Sequence, residues 1–231
     1  MFDLTPTEWT AILLSLRVAL IATLVATPFG IALAWLLARR EFWGKSVLDA
    51  AIHLPLVLPP VVTGYLLLLT LGRRGLVGAW LADHLGIVFA FRWTGAALAC
   101  GVMSFPLLVR PIRLSIEAVD RRLEQAAGTL GAAPWRVFAT VTLPLALPGV
   151  LAGMVLGFAK AIGEFGATIT FVSNIPGETQ TISSAIYSLI QTPDGDTAAL
   201  RLVVVSVVIA MAALIGSEWF ARRATQRLHG N

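Results

Sequence analysis

Five stretches of this chain are apolar for about 20 residues or more, the length a helix needs to cross the hydrocarbon core of a bilayer. They run from about Thr10 to Ala38, Leu48 to Leu71, Trp93 to Ile112, Leu145 to Phe165 and Ala198 to Phe220. In lipid no water satisfies exposed N–H and C=O groups, so each such stretch has to fold as a helix. The expected fold is therefore all-α: one polytopic membrane bundle of five transmembrane helices filling residues 1–231. Composition agrees, with 57% hydrophobic and 13% charged residues, against about 45–50% and about 25% in soluble domains. Arg17 interrupts the first stretch. One arginine costs about 2.5–3.5 kcal/mol at a helix centre, and the many Leu, Ile, Val and Phe around it each return about 0.3–0.6 kcal/mol. Near a helix end it can also snorkel.

The net charge of +4 raises nucleic-acid binding as a possibility, but the basic residues sit in short connections between apolar runs, which is the pattern of loop charge in a membrane protein. Arg39, Arg40 and Lys45 follow the first run. Arg110, Arg113, Arg121, Arg122 and Arg136 mark the third connection, and Arg222, Arg223 and Arg227 the tail. With five crossings these lie on one side, predicted cytoplasmic, with the N-terminus outside and the C-terminus inside. The other side carries Arg73, Arg74 and Arg92, and between Ser173 and Thr197 no Lys or Arg at all. Trp9, Trp43, Trp80, Trp93 and Trp219 fall at or just beyond the run ends, as interfacial belts require. Asp3 and Glu8 before the first run argue against a cleaved signal peptide, which wants a positive start.

The long connection from Leu114 to Pro144 has content of its own. Leu123-Glu124-Gln125-Ala126-Ala127 is rich in helix formers, Gly128 and Gly131 loosen or end it, and Pro134 suits the first turn of a second short helix. On the outer side, Thr181 to Ile190 is apolar but too short to span, and reads as a re-entrant or interfacial helix. Cys100 lies in an apolar run and reads as a buried, inert thiol. His53, His84 and His229 share no metal-ligand spacing, no phosphate-binding loop is present, and no catalytic residues are expected.

The long connection resembles the EAA signature of ABC importer permeases: Glu-Ala-Ala, three residues, Gly, nine residues, then Ile-x-Leu-Pro. Here Gln125 stands at the Glu position, with Glu124 one place earlier. Ala126, Ala127 and Gly131 match, Val141 stands for Ile, and Leu143-Pro144 completes the spacing. His53-Leu54-Pro55-Leu56-Val57-Leu58-Pro59-Pro60-Val61-Val62, Met103 to Leu107, Gly163 to Phe171 and Ser173 to Thr179 are similar to motifs of the molybdate permeases within that family. The resemblance implies that residues 114–144 form coupling helices that dock into a groove of a separate cytoplasmic ATPase. ATP and Mg would then bind that partner, and this chain would hold no cofactor and no metal. It also implies a second copy of this chain, a periplasmic molybdate-binding protein, and alternating access across the bacterial inner membrane. The small Ala126 and Ala127 would let helix and partner approach closely, Gly131 would allow a sharp turn, and Leu143-Pro144 would bend the chain into the fourth span. Asn174 to Glu178 and Arg73-Arg74 are candidates to meet the binding protein; the alternative for them is plain solvated loop.

Three further features carry expectations. Pro55, Pro59 and Pro60 each remove a backbone donor, predicting either a tight helix start or a kink that shapes the translocation path or its gate. Lys160 and Glu164 share a helix face at i, i+4 and charged groups in a span turn towards the bundle interior, so they are either a structural pair or, with Gly163 and Gly166, part of the path. A carboxylate repels a dianion, so hydroxyls and amides around Thr168 and Thr170 are the better donors to an oxyanion. Rival functions are a sulfate or tungstate permease of the same type, and a secondary transporter. The latter predicts inverted repeats and embedded coupling carboxylates, and only Glu164 fits.

Overall fold

A computed structural model describes residues 4–228, with backbone alone for residues 217–228. Asp3, His229 and the side chains of Trp219, Arg222, Arg223 and Arg227 lie outside the described residues. The described residues are helical and loop, without strands.

Helix α1 (Pro6–Arg39) starts in a capping box: Thr5 accepts from the Glu8 amide, and Glu8 returns a bond to the Thr5 amide, with Pro6 at the first turn. These devices satisfy the orphan amides at a helix start. At about 1.5 Å per residue its 34 residues reach about 50 Å, beyond the bilayer core on both sides. Arg17 lies 3.8 Å over the Trp93 ring, so its charge is placed on an aromatic face as well as being able to snorkel.

The second predicted span is two helices, not one. α2 (Lys45–Val57) and α3 (Pro60–Leu71) are bent by 115° at Leu58-Pro59. A residue before proline is pushed out of the helical region; Leu58 (ψ 143°) precedes Pro59, and Pro59 (ψ 133°) precedes Pro60. Pro55 stays inside α2 and does not end it, so the break belongs to the Pro59-Pro60 pair alone. The bent pair still carries the chain from end to end. Leu48 and Ile52 pack with Leu37 and Ile116, while Leu67 and Leu71 pack with Leu14 and Phe171. Beyond it, in the connection between the second and third apolar runs, α4 (Leu76–Leu85) is a short helix closed by Gly86 in the left-handed region.

α5 (Trp93–Ala118) is the central helix, packed along α1 and along α8 (Leu143–Ile162). The α5–α8 contact is backbone-close. A Cβ on Gly153 would stand 2.5 Å from the Leu108 carbonyl oxygen, and one on Gly149 would stand 2.6 Å from that of Pro111. Without a hydrophobic drive between helices in lipid, small residues that permit such approach hold them together.

Between α5 and α8 come α6 (Arg121–Thr129), α7 (Pro134–Val137) and a π-helical stretch (Phe138–Thr142). The last two run directly into α8, giving one apolar rod from Pro134 to Ile162. The expected bend at Leu143-Pro144 is therefore absent. Pro144 cannot donate to a carbonyl in the preceding turn, and the Leu143 amide bonds to Phe138 O in π register, a usual way for a helix to accommodate such a defect. The fourth span ends at Ile162, short of the predicted Phe165, and resumes as α9 (Gly166–Val172).

α10 (Ile182–Leu189) is the predicted short outer helix. It is packed inward, with Ile182 and Ala185 buried against Ala11, Ile12 and Leu202, and its Ile182 amide donates to Ser15 Oγ at 2.7 Å. α11 (Asp196–Leu228) is the last span.

Candidate functional site

The site has two parts: the connection between α5 and α8, and a pair of broken helices. In the connection, Asp120 caps α6 by accepting the Arg122 amide at 2.9 Å. At the other end the Ala132 amide bonds to Ala127 O (3.2 Å) and the Gly131 amide to Gly128 O (3.0 Å), the paired bonds of a Schellman stop. Gly131 sits at φ +84° with open space around it, so the turn needs glycine for its backbone and not for room. Gln125 and Ala126 are exposed and Ala127 is half-buried. Leu123, Leu130 and Trp135 add apolar surface, at 50%, 88% and 68% exposed.

Glu124 faces the other way. Its Oε1 accepts from Arg39 Nε at 3.2 Å and from Thr142 Oγ1 at 2.6 Å, so the residue expected in the docking motif is turned into the protein. Leu143 and Pro144 lie inside the rod and are half-buried. They belong to the span more than to the docking surface.

The second part lies where α3 and α9 begin. A Cβ on Gly166 would stand 2.7 Å from Pro60 Cβ, and one on Gly64 would stand 2.5 Å from Ala167 O. Two helices that each restart after a break are thus brought side by side, with Gly166 against Pro60; Gly163 meets only the end of its own helix, at Ala159 and Lys160. Pro55 takes no part in that contact. It lines an apolar cleft of about 690 Å³ between α1, α2 and α5, with Phe29, Ile52, Trp93 and Phe105.

Lys160 and Glu164 do pair, at 2.7 Å, but Glu164 stands in the break after α8 and not inside a helix. Gly163 caps α8. Glu164 is 1% exposed, and its Oε1 accepts the Ala167 amide at 3.0 Å, serving the start of α9. On the other side of the break, Ser183 Oγ donates to Ile162 O at 3.3 Å, and the Phe165 and Tyr187 rings sit 4.9 Å apart. The gap is therefore covered by protein, as irregular backbone in a membrane requires. Thr168 and Thr170 donate to Phe165 O (2.9 Å) and Gly166 O (2.8 Å); both hydroxyl protons are used locally. Among the described residues no cluster of three His, Cys, Asp or Glu side chains is placed to hold a metal. Cys100 is fully buried, its thiol 3.5 Å from Ala161 O.

The described residues form an all-helical membrane bundle with broken inner helices and an exposed amphipathic connection. The sequence profile of the binding-protein-dependent transport system inner membrane components matches residues 26–226, and the chain belongs to that family: a multi-pass inner-membrane transport subunit, not an enzyme. It is 62% identical over 224 residues to the molybdenum transport system permease protein ModB of Escherichia coli (strain K12), covering 97% of this chain and 98% of that protein. ModB of Haemophilus influenzae is 57% identical, covering 96% of each. A probable sulfate transport system permease protein, cysT of Nephroselmis olivacea, is 35% identical over 93% of this chain and 75% of its own length.

Among solved structures, a bacterial ABC transporter that imports alginate matches with a TM-score of 0.75 at 20% identity, covering 96% of this chain and 81% of that one. An amino acid ABC transporter matches at 0.64 and 19%, covering 94% of each. These likenesses identify the fold as that of the type I ABC importer permeases.

The Arg39 and Thr142 partners of Glu124 and the Arg201 partner of Glu8 were not singled out by sequence reasoning. Glu8 and Arg201 are 193 residues apart, and no local spacing announces such a pair. The Gly149, Gly153, Gly157 stripe at i, i+4, i+8 was a readable signal.

Proposed function

We propose that this chain is the permease through which a bacterial ATP-driven importer moves molybdate across the inner membrane. End-to-end identity of 62% with a molybdenum permease carries this reading. At that level the packed interior and the path are expected to be retained, whereas the sulfate relative is only 35% identical.

The exposed side chains of Leu123, Ala126, Leu130 and Trp135 support docking of a cytoplasmic ATPase, which binds ATP and Mg. Arg40, Lys45, Arg113, Arg121, Arg122 and Arg136 lie at that same end of the bundle, which supports placing it in the cytoplasm, with the N-terminus periplasmic. Val61, Val62, Tyr65 and Leu69 leave one side of α3 apolar and exposed beside the helix breaks; a second copy of this chain covers them and the path runs between the two copies. A periplasmic molybdate-binding protein delivers the anion to the outer side. Nucleotide state supplies the free-energy difference between inward-open and outward-open forms.

Labelled molybdate uptake into proteoliposomes containing this chain, its ATPase and its binding protein tests the reading. Uptake is expected to need ATP and all three components and to persist in excess sulfate. Abolition by sulfate would move the substrate to sulfate or a broader oxyanion class, and ATP-independent uptake by this chain alone would make it a secondary transporter. A finer test addresses docking. Gly131→Val is expected to strain the turn by about 1–2 kcal/mol and reduce ATPase co-purification severalfold, while Gly131→Asn, which tolerates the left-handed region, retains it.

A further inference from the structure

Helix α6 buries none of its residues. Beneath it lies a hollow of about 290 Å³ lined by Trp35, Gly128, Val137 and Phe138, so apolar packing does not hold it firmly to the spans. Its two chain connections are hinge-like: Val119-Asp120 in extended conformation before it, and the positive-φ turn at Gly131 after it. What fastens it is one carboxylate. Glu124 Oε1 accepts from Arg39 Nε and Thr142 Oγ1, and lies 3.1 Å from Arg39 Nη2. Arg39 Nη2 in turn donates to Val119 O at 3.0 Å, at the first hinge itself. The Arg39 and Glu124 side chains are 9% and 18% exposed, sheltered enough for the bond to persist against competing water and salt.

These residues come from three elements. Arg39 ends α1, Glu124 is on α6, and Thr142 ends the π-helical stretch that leads into α8. We infer that Glu124 is a positioning residue that ties the coupling helix to α1 and α8, so that displacement of α6 by the ATPase moves both spans. The inference rests on the proposed docking of α6 to an ATPase. It gives Glu124 a task of its own: its carboxylate faces inward to Arg39 and Thr142, while Leu123 and Ala126 on the same short helix are exposed. Without the tie, a helix on two hinges swings while the spans stay still, and hydrolysis continues without transport.

The test uses the full importer in proteoliposomes, reading ATPase retention, hydrolysis rate and molybdate imported per ATP. Glu124→Ala is expected to retain the ATPase and hydrolyse within about twofold of the unaltered complex, while import per ATP falls about tenfold, within the usual range of a coupling free energy. Thr142→Val, which loses one of the bonds, is expected to lower import per ATP about threefold. The charge-swapped Arg39→Glu/Glu124→Arg chain is expected to recover most of the loss. Unchanged import per ATP in Glu124→Ala overturns the inference, as does loss of the ATPase from that variant, which would make Glu124 part of the docking surface. If Glu124→Ala does not accumulate, Thr142→Val decides: an unaltered ratio there overturns it. An unaltered chain that retains no ATPase would instead sink the docking reading itself.

Discussion

Arg201→Met is expected to destabilise the chain by about 3 kcal/mol, the low end for stranding a buried charge. Glu8 is 5% exposed and its Oε1 accepts from Arg201 Nη2 at 2.8 Å and from Nε at 3.1 Å. The low end applies because Arg201 is 20% exposed and the pair lies at the end of the bundle. The cost comes less from the lost attraction than from the carboxylate left unpaired against α11. Glu8→Gln/Arg201→Met should therefore recover most of the stability, because glutamine also completes a capping box and carries no charge. Thermal unfolding of the purified chain in detergent checks both variants. A double variant no more stable than Arg201→Met would show that the arginine acts through packing.

Gly153→Leu is expected to prevent accumulation of folded chain. A Cβ there would stand 2.5 Å from Leu108 O and 3.2 Å from Ile112 Cγ1, and the nearer atom is backbone, which cannot swing aside. Overpacking costs about 1–3 kcal/mol where side chains can yield, and more is expected where two central helices have to separate. Gly157→Ala supplies the contrast. Its nearest neighbours are Leu108 side-chain atoms at 3.5 and 3.6 Å, ordinary contact, and alanine favours the helix by about 1 kcal/mol over glycine. Folded yield by size-exclusion chromatography, together with melting temperature, distinguishes the pair: Gly153→Leu lost, Gly157→Ala equal to the unaltered chain or better.

Much of the architecture was readable because a bilayer imposes a one-dimensional rule. Apolar length predicts a helix wherever no water is available, and α1, α5, α8 and α11 followed. The short apolar stretch at Thr181 to Ile190 was also placed correctly as a non-spanning helix. The two short helices between α5 and α8 were readable through Gly131 and Pro134, whose backbone preferences are local. The prolines announce the kink in the second span, and the chain bends by 115° at Pro59-Pro60; which proline makes it is not announced, since Pro55 stays helical. Hydropathy registers Leu48 to Leu71 as continuous, while two consecutive prolines act on dihedrals that hydropathy ignores. The Leu143-Pro144 bend failed for the converse reason: a proline near a helix start can be absorbed by a change of hydrogen-bond register.

The direction in which side chains turn was less accessible. Lys160 and Glu164 were correctly paired from their spacing, but spacing did not show that Ile162 ends the helix and that Glu164 then serves the α9 amides. Glu124 read as a displaced docking acid and is instead the partner of Arg39, 85 residues away.

The sequence by itself determined that this chain is a helical membrane protein, how many apolar segments it has, which end of the bundle gathers positive charge, and where the two short helices between α5 and α8 lie. Those properties depend on the chain's interaction with lipid and water and on backbone preferences within a few residues. Only the tertiary structure decided that α2 and α3 meet at a sharp angle, that Gly64 and Gly166 bring α3 against α9, and which charges share a partner. Those outcomes depend on contacts between residues far apart in the chain, where the free energy belongs to the pair and neither residue announces it alone.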